Sequence, residues 1–280
     1  MNQPIACLPY SQYAADGFAA RFAAGRAPDL SRFRIYPRGR DAITAVLRQL
    51  GLGRDDEVYI DTTSNSPFVS SCVTCNIFNR AKPARALSAA TKMIFIIHEF
   101  GFRNPRADAL RDEAKRRGIP VFVDSAHALS LAQDPEPGVD FQLVSLSKNL
   151  PLAAGGLLAG RAAPEFAGAN WEMSALKDIS TRLASFMPYW QACDDRRQKI
   201  FQRYAAALAK HGTTFDKQEH DIPFFYPLRC PSPDTLHHQL RDSGVGWGQA
   251  NIPATFLLPC HALLSDTDVD RVIALVRPLL

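Results

Sequence analysis

Phe141–Leu158 reads FQLVSLSKNLPLAAGGLL, and Ile119–Ser130 reads IPVFVDSAHALS. Each is an apolar, strand-like run that ends in a reactive side chain. The first delivers Lys148 just past Ser145-Leu146-Ser147. The second delivers Asp124 at its tip, with His127 three residues on. The sequence around them has the pattern of a parallel sheet. Lys92–His98 (KMIFIIH) is almost continuously apolar, as expected of a strand buried on both faces. Arg106–Arg117 reads as a helix, and Gly118-Ile119-Pro120 leads from it into the strand Val121–Asp124. Strand, helix and strand within about 30 residues make a βαβ unit, which crosses over right-handed.

Working outward, Asp41–Leu50 has apolar residues at helical spacing and is stopped by Gly51-Leu52-Gly53. Val58–Ile60 follows as a short strand. The spacing predicts a helix over Pro67–Cys75, opened by the capping cluster Ser64-Asn65-Ser66. Further strands are expected at 141–146 and 155–159. From Pro164 to about His211 the chain reads as largely helical. Ile222–Leu280 alternates short strands with helices at Pro233–Ser243 and Asp266–Leu279. The expected class is α/β, with a mainly parallel central sheet flanked by helices. We expect a large domain over 1–165, a helical connector over 166–212 and a small C-terminal α/β lobe over 213–280.

The 280 residues are 46% hydrophobic and 21% charged, enough for a substantial core. The net charge of +4 is scattered among acids, which argues against a nucleic-acid partner, whose basic residues would cluster. No stretch approaches the roughly 18 to 20 uncharged apolar residues of a membrane span, and the first residues lack a secretory pattern. Six cysteines spread thinly through such a chain imply reduced thiols and a cytoplasmic setting. Cys72-x-x-Cys75 has redox or metal spacing but no second pair, so it is expected to be a buried pair on one helix, and no metal site is expected.

Singly, a lysine after a strand is ordinarily a solvated residue, and strands of parallel sheets often end in Asp. Together, Lys148 and Asp124 are what pyridoxal phosphate (PLP) chemistry requires. The amine forms a Schiff base, and the carboxylate keeps the ring nitrogen protonated so that the ring accepts electrons. Ligands of open parallel sheets bind outside the carboxyl ends of the strands, where both residues are expected. For the phosphate, Gly39 and Arg40 open a helix, whose N–H groups and dipole favour an anion. The Arg40 guanidinium adds a charge-assisted contact, and Ser145 offers a hydroxyl. A Ser-His-Asp hydrolase built from Asp124, Ser125 and His127 would crowd all three groups into four positions, and no G-x-S-x-G elbow is present. His261 reads as a turn residue, and His220, His237 and His238 as surface residues.

Six fragments in order resemble the DegT/DnrJ-type sugar aminotransferases of PLP fold type I. GRDAITAVLRQLGLGRDDEVYID resembles that family's opening helix, "LGLGPGDEV" and strand. IFIIHEFG is similar to "VHLYG", VFVDSAHALS to "VIEDAAQALG", and LSKNLPLAAGGLLAG to "TKNL…GGAVVT". AGANWEMSAL is similar to "GYNYRMSEL", and LLPCHALLSDTDVDRV to "LPLHPGLTDEEVDRV". The resemblance runs from about Tyr36 to the C-terminus. It implies the fold-type I PLP-transferase fold, with Lys148 linked to the cofactor and Asp124 on the pyridine nitrogen. It implies His127 at the ring hydroxyl, and Asn170 reaching the phosphate across a homodimer interface. It also implies an aminotransferase that takes an amino group from a small-molecule donor, glutamate, to a keto acceptor such as a keto sugar or another biosynthetic intermediate. Asn65 stands where the family has the aromatic residue that stacks on the cofactor, with Phe68 the nearest substitute, and Glu172 replaces an arginine. A PLP lyase, dehydratase or decarboxylase, or a non-catalytic binding protein on the same fold, stays open at this point.

Overall fold

A computed structural model describes Ile5, Phe18 and residues 20–128, 136–160, 162–168, 170–246, 248 and 252–280, apart from the side chains of Asn170 and Trp171. Among these, seven strands form one sheet: β1 (Phe33–Tyr36), β2 (Glu57–Thr62), β3 (Lys82–Ala84), β4 (Thr91–Ile97), β5 (Val121–Asp124), β6 (Phe141–Ser145) and β7 (Gly156–Ala159). Their order is β1-β7-β6-β5-β4-β2-β3, and only β7 runs against its neighbours. The mainly parallel α/β sheet is as the sequence led us to expect.

The apolar runs form strands because both faces of the sheet are covered. Met93 and Phe95 of β4 point to one side, into a core shared with α1 (Gly39–Gln49) and α2 (Ser71–Phe78). Ile94 and Ile96 point to the other, against Leu110 and Ala114 of α3 (Ala107–Arg117). This is the period of two along a strand. Gly118 ends α3 in the left-handed conformation at φ 65°, the usual role of glycine after a helix. A short helical turn, α4 (Leu146–Asn149), joins β6 to β7.

Two long helices follow, α5 (Asn170–Phe186) and α6 (Trp190–Ala207). The C-terminal region pairs β8 (Phe225–Arg229) antiparallel with β9 (Thr255–Pro259) and covers them with α7 (Pro233–Asp242) and α8 (Asp266–Val276). The core of this lobe includes Phe201 and Tyr204 of α6, so α6 packs as part of the lobe as well as linking to it.

Several local expectations need correction. The helix placed at Pro67–Cys75 begins only at Ser71, where the Ser70 hydroxyl accepts the Cys72 N–H at 3.3 Å. Ser64-Asn65-Ser66 forms a turn instead, with Asn65 at φ 55°. Cys72 and Cys75 do share α2, but both are exposed, not buried. β1 and β3 were not anticipated, being four and three residues long at the two sheet edges. No helix among the described residues is long and apolar enough to cross a membrane.

Candidate active site at the carboxyl ends of the parallel strands

Register brings Lys148 and Asp124 to one rim. β5 and β6 are parallel neighbours, with Asp124 opposite Leu143, so Asp124 and Ser145 end adjacent strands. The turn α4 then carries Lys148 over the same edge. It is held by Leu146 N–H on the Gly155 carbonyl at 2.9 Å. The Asn149 amide donates to the carbonyls of Ser145 at 2.8 Å and Ala126 at 2.9 Å. Asn149 therefore stitches the lysine turn to the loop that follows Asp124.

The Asp124 carboxyl is 7% exposed and accepts the Ala126 N–H at 2.9 Å. Burial raises its pKa; the Ala126 N–H and the charges of Lys148 and His98 pull it back only in part. A buried carboxylate in this state is stabilised by a further cation. His127 lies with its ring 5.1 Å from Phe224 and 5.6 Å from Phe100. Burial first, then the charges of Lys148 and Arg197, drive its pKa well below the usual value, so the imidazole is neutral at physiological pH. Lys148 thus acts electrostatically on both groups. Ser125 faces elsewhere: fully buried, its hydroxyl accepts from Gln142 at 3.2 Å, which leaves no Ser-His-Asp relay here.

The N-terminus of α1 adjoins this rim. Gly156 of β7 pairs with both Ser145 and Tyr36, and a Cβ there would lie 2.8 Å from the Gly39 Cα. The absent side chain lets the first residue of α1 press against the sheet beside Ser145. No side chain among the described residues caps this helix: Asp41, the acid of its first turn, is taken up by the Arg38 guanidinium through two bonds of 3.0 Å. The first-turn N–H groups of Gly39 and Arg40 are left for a ligand. The Arg40 side chain is exposed, and the Ser145 hydroxyl lies 3.3 Å from that of Ser147.

Other candidates lie elsewhere or outside view. Asn65 is exposed on the loop after β2, two strands from β5. Its turn is clamped by the Ser64 N–H on the Glu99 carboxylate at 2.6 Å, and Phe68 is 63% exposed. Asn170 is the first residue of α5, and its side chain lies outside the described residues. Glu172 acts electrostatically on Arg38.

Sequence reasoning missed Asn149 and Arg197. Arg197 of α6 is 3% exposed and bonds Asn149 Oδ1 at 3.1 Å and the His127 carbonyl at 2.7 Å. A signal was present. Trp190, Arg197 and Tyr204 stand seven apart, and all are buried, so the arginine interrupts an apolar stripe rather than a solvated face.

These residues fit PLP. A buried acid needing a cation suits a protonated ring nitrogen. An amine stands at the adjoining strand end, and an uncapped helix N-terminus on the same rim suits the phosphate.

Comparison with known proteins agrees. Residues 25–159 match the family model described as "putative PLP-dependent aminotransferase". No curated protein sequence matches the chain. Among solved structures, the aminotransferase TlmJ from Streptoalloteichus hindustanus superposes with a TM-score of 0.75 at 20% identity, over 98% of each chain. A DegT DnrJ EryC1 StrS aminotransferase from Brucella abortus gives 0.69 at 16%, over 88% of this chain and 85% of that one. NtdA from Bacillus subtilis, solved with bound cofactor PMP, gives 0.68 at 16%, over 88% and 73%. These likenesses show the fold, that of the fold-type I PLP enzymes.

Proposed function

We infer that this chain, a PLP-dependent aminotransferase of fold type I, carries the amino group of glutamate to the carbonyl of a keto substrate. The acceptor class we favour is a keto sugar or a related biosynthetic intermediate. The observation that carries the reading is the meeting of Lys148, Asp124 and the open N-terminus of α1 on one rim of the sheet.

When bound, PLP supplies an electron sink for the negative charge that develops at the donor Cα. Lys148 Nζ would anchor the cofactor and would take up and return the donor Cα proton as general base and acid. The Asp124 carboxylate would hold the proton of the ring nitrogen. His127, neutral, would orient the ring without adding charge. Gly39 and Arg40 N–H groups, the Arg40 guanidinium and the Ser145 hydroxyl would hold the phosphate. Asn65, on the loop after β2 and two strands from β5, we assign to the cofactor face, with an amide where an aromatic ring would stack. Asn170 we assign to the phosphate of a second copy, which makes the working unit a homodimer with shared sites. The free thiols of Cys193, Cys230 and Cys260 support a reducing, cytoplasmic setting.

Glutamate added to the PLP-loaded protein, without acceptor, tests the reading. It predicts loss of the visible absorbance and one equivalent of 2-oxoglutarate per site. An unchanged spectrum, or carbon dioxide or ammonia in place of the oxo acid, contradicts amino transfer.

A further inference from the structure

Arg197 is a cation at 3% exposure, and burying such a charge costs several kcal/mol unless its contacts compensate. Four of its five N–H groups are used. Nη2 donates to the carbonyls of His127 at 2.7 Å and Ile222 at 2.9 Å. Nε donates to the Pro223 carbonyl at 3.1 Å, and Nη1 to Asn149 Oδ1 at 3.1 Å. The guanidinium lies over the Phe224 ring, 5.5 Å from its centroid. The titratable groups acting on it are Asp194, 3.7 Å away on its own helix, and the thiols of Cys193 and Cys260; it acts in turn on His127.

These contacts join three segments that are distant in sequence. One is the turn of Lys148, through Asn149. The second is the loop that follows Asp124 and carries His127. The third is the entry to the C-terminal lobe at Ile222-Pro223. Lysine cannot reproduce this, because an ammonium presents three donors from a point and not a planar fork.

We propose that Arg197 is a positioning residue for the amino transfer, fixing the Lys148 turn against the Asp124–His127 loop through Asn149 and tying that setting to the C-terminal lobe. The proposal rests on the role given to Lys148 above. A misplacement of about 1 Å at a reacting group can cost about a hundredfold in rate.

The test compares Asn149→Ala, Arg197→Lys and Arg197→Met with the parent protein, and Lys148→Ala serves as control. Three quantities are measured: kcat and donor KM of the loaded protein, the pH midpoint of its visible absorbance, and amide exchange of residues 146–150 in the cofactor-free protein. Asn149→Ala and Arg197→Lys are expected to lower kcat about 10- to 100-fold, with donor KM changed less than about threefold. The pH midpoint moves, and exchange of the lysine turn quickens. Should the arginine variants fail to fold, Asn149→Ala and Asn149→Asp decide together: both lose the amide's bonds to Ser145 and Ala126, the aspartate alone keeps an acceptor for Arg197 Nη1, and equal losses of kcat in the two overturn the role of Arg197. Lower thermal stability with kcat per bound cofactor, pH midpoint and exchange unmoved makes the role purely structural and overturns the proposal. A parent-like visible spectrum in Lys148→Ala overturns the site reading itself, an outcome distinct from failure of the Arg197 proposal.

Discussion

Asp124 ends β5 and His127 stands three residues on, in the loop that follows, and the same burial drives them in opposite directions: the acid upward, the imidazole downward. Both are pushed toward their neutral forms. For Asp124 this has a consequence for stability without cofactor. An acid whose pKa is raised by folding keeps its proton longer in the folded state. Stability therefore falls as pH climbs from the unfolded value, about 3.9, toward the folded one, and the loss is complete above it. Asp124→Asn keeps the acceptor for the Ala126 N–H and removes the charge. The cofactor-free variant should show a flatter fall of Tm between acid and neutral pH, gain less Tm on PLP addition than the parent, and lose about a hundredfold or more in turnover. Parent-like turnover and PLP response would remove Asp124 from the ring nitrogen. Lys148 and Asp124 were legible because each ends an apolar strand, and strand ends in such sheets face one rim. Asn149 and Arg197 were harder to see: the stripe of Trp190, Arg197 and Tyr204 signals a buried arginine, but its partners, Asn149 Oδ1 and the carbonyls of His127, Ile222 and Pro223, are brought to it only by the tertiary fold.

Among elements, the contact between α1 and β7 matters most to the site. Gly156 faces Gly39 so closely that a methyl group would meet backbone, its Cα at 2.8 Å and its N at 2.9 Å. Backbone cannot swing aside as a side chain can. Gly156→Ala should therefore cost about 1–3 kcal/mol of stability and, by lifting the N-terminus of α1 off the sheet, weaken PLP binding. Calorimetric Tm and a PLP titration check this; parent values for both would separate the α1 terminus from the phosphate site. Strands buried on both faces, such as β4 and β5, announce themselves in sequence. β1 and β3 do not, since they are short edges bearing Arg34 and Pro83 whose pairing is set by the rest of the sheet. The start of α2 was misplaced because Ser64, Asn65 and Ser66 cap a helix in principle. Here Glu99, from the loop after β4, takes the Ser64 N–H, and the local preference yields to that tertiary bond.

At the scale of the whole molecule, an order of elements legible along the chain becomes a sheet with its reactive side chains on one rim and a C-terminal lobe fastened to that rim by α6. That fastening could not be read from sequence, because it depends on which face of α6 turns inward. Among the described residues four large apolar side chains stay exposed in the single chain, Phe68 at 63%, Phe78 at 62%, Met173 at 48% and Leu279 at 37%, in keeping with the shared-site dimer we propose. Light scattering should give twice the 30.9 kDa of one chain; a monomer that turns over would exclude a site completed by Asn170 of a second copy. The covalent anchor is tested most directly by borohydride reduction of the PLP-loaded protein, followed by peptide mapping by mass spectrometry. The account predicts a single phosphopyridoxyl group, on the peptide containing Lys148. Its recovery on another lysine, or on none, would contradict the assignment.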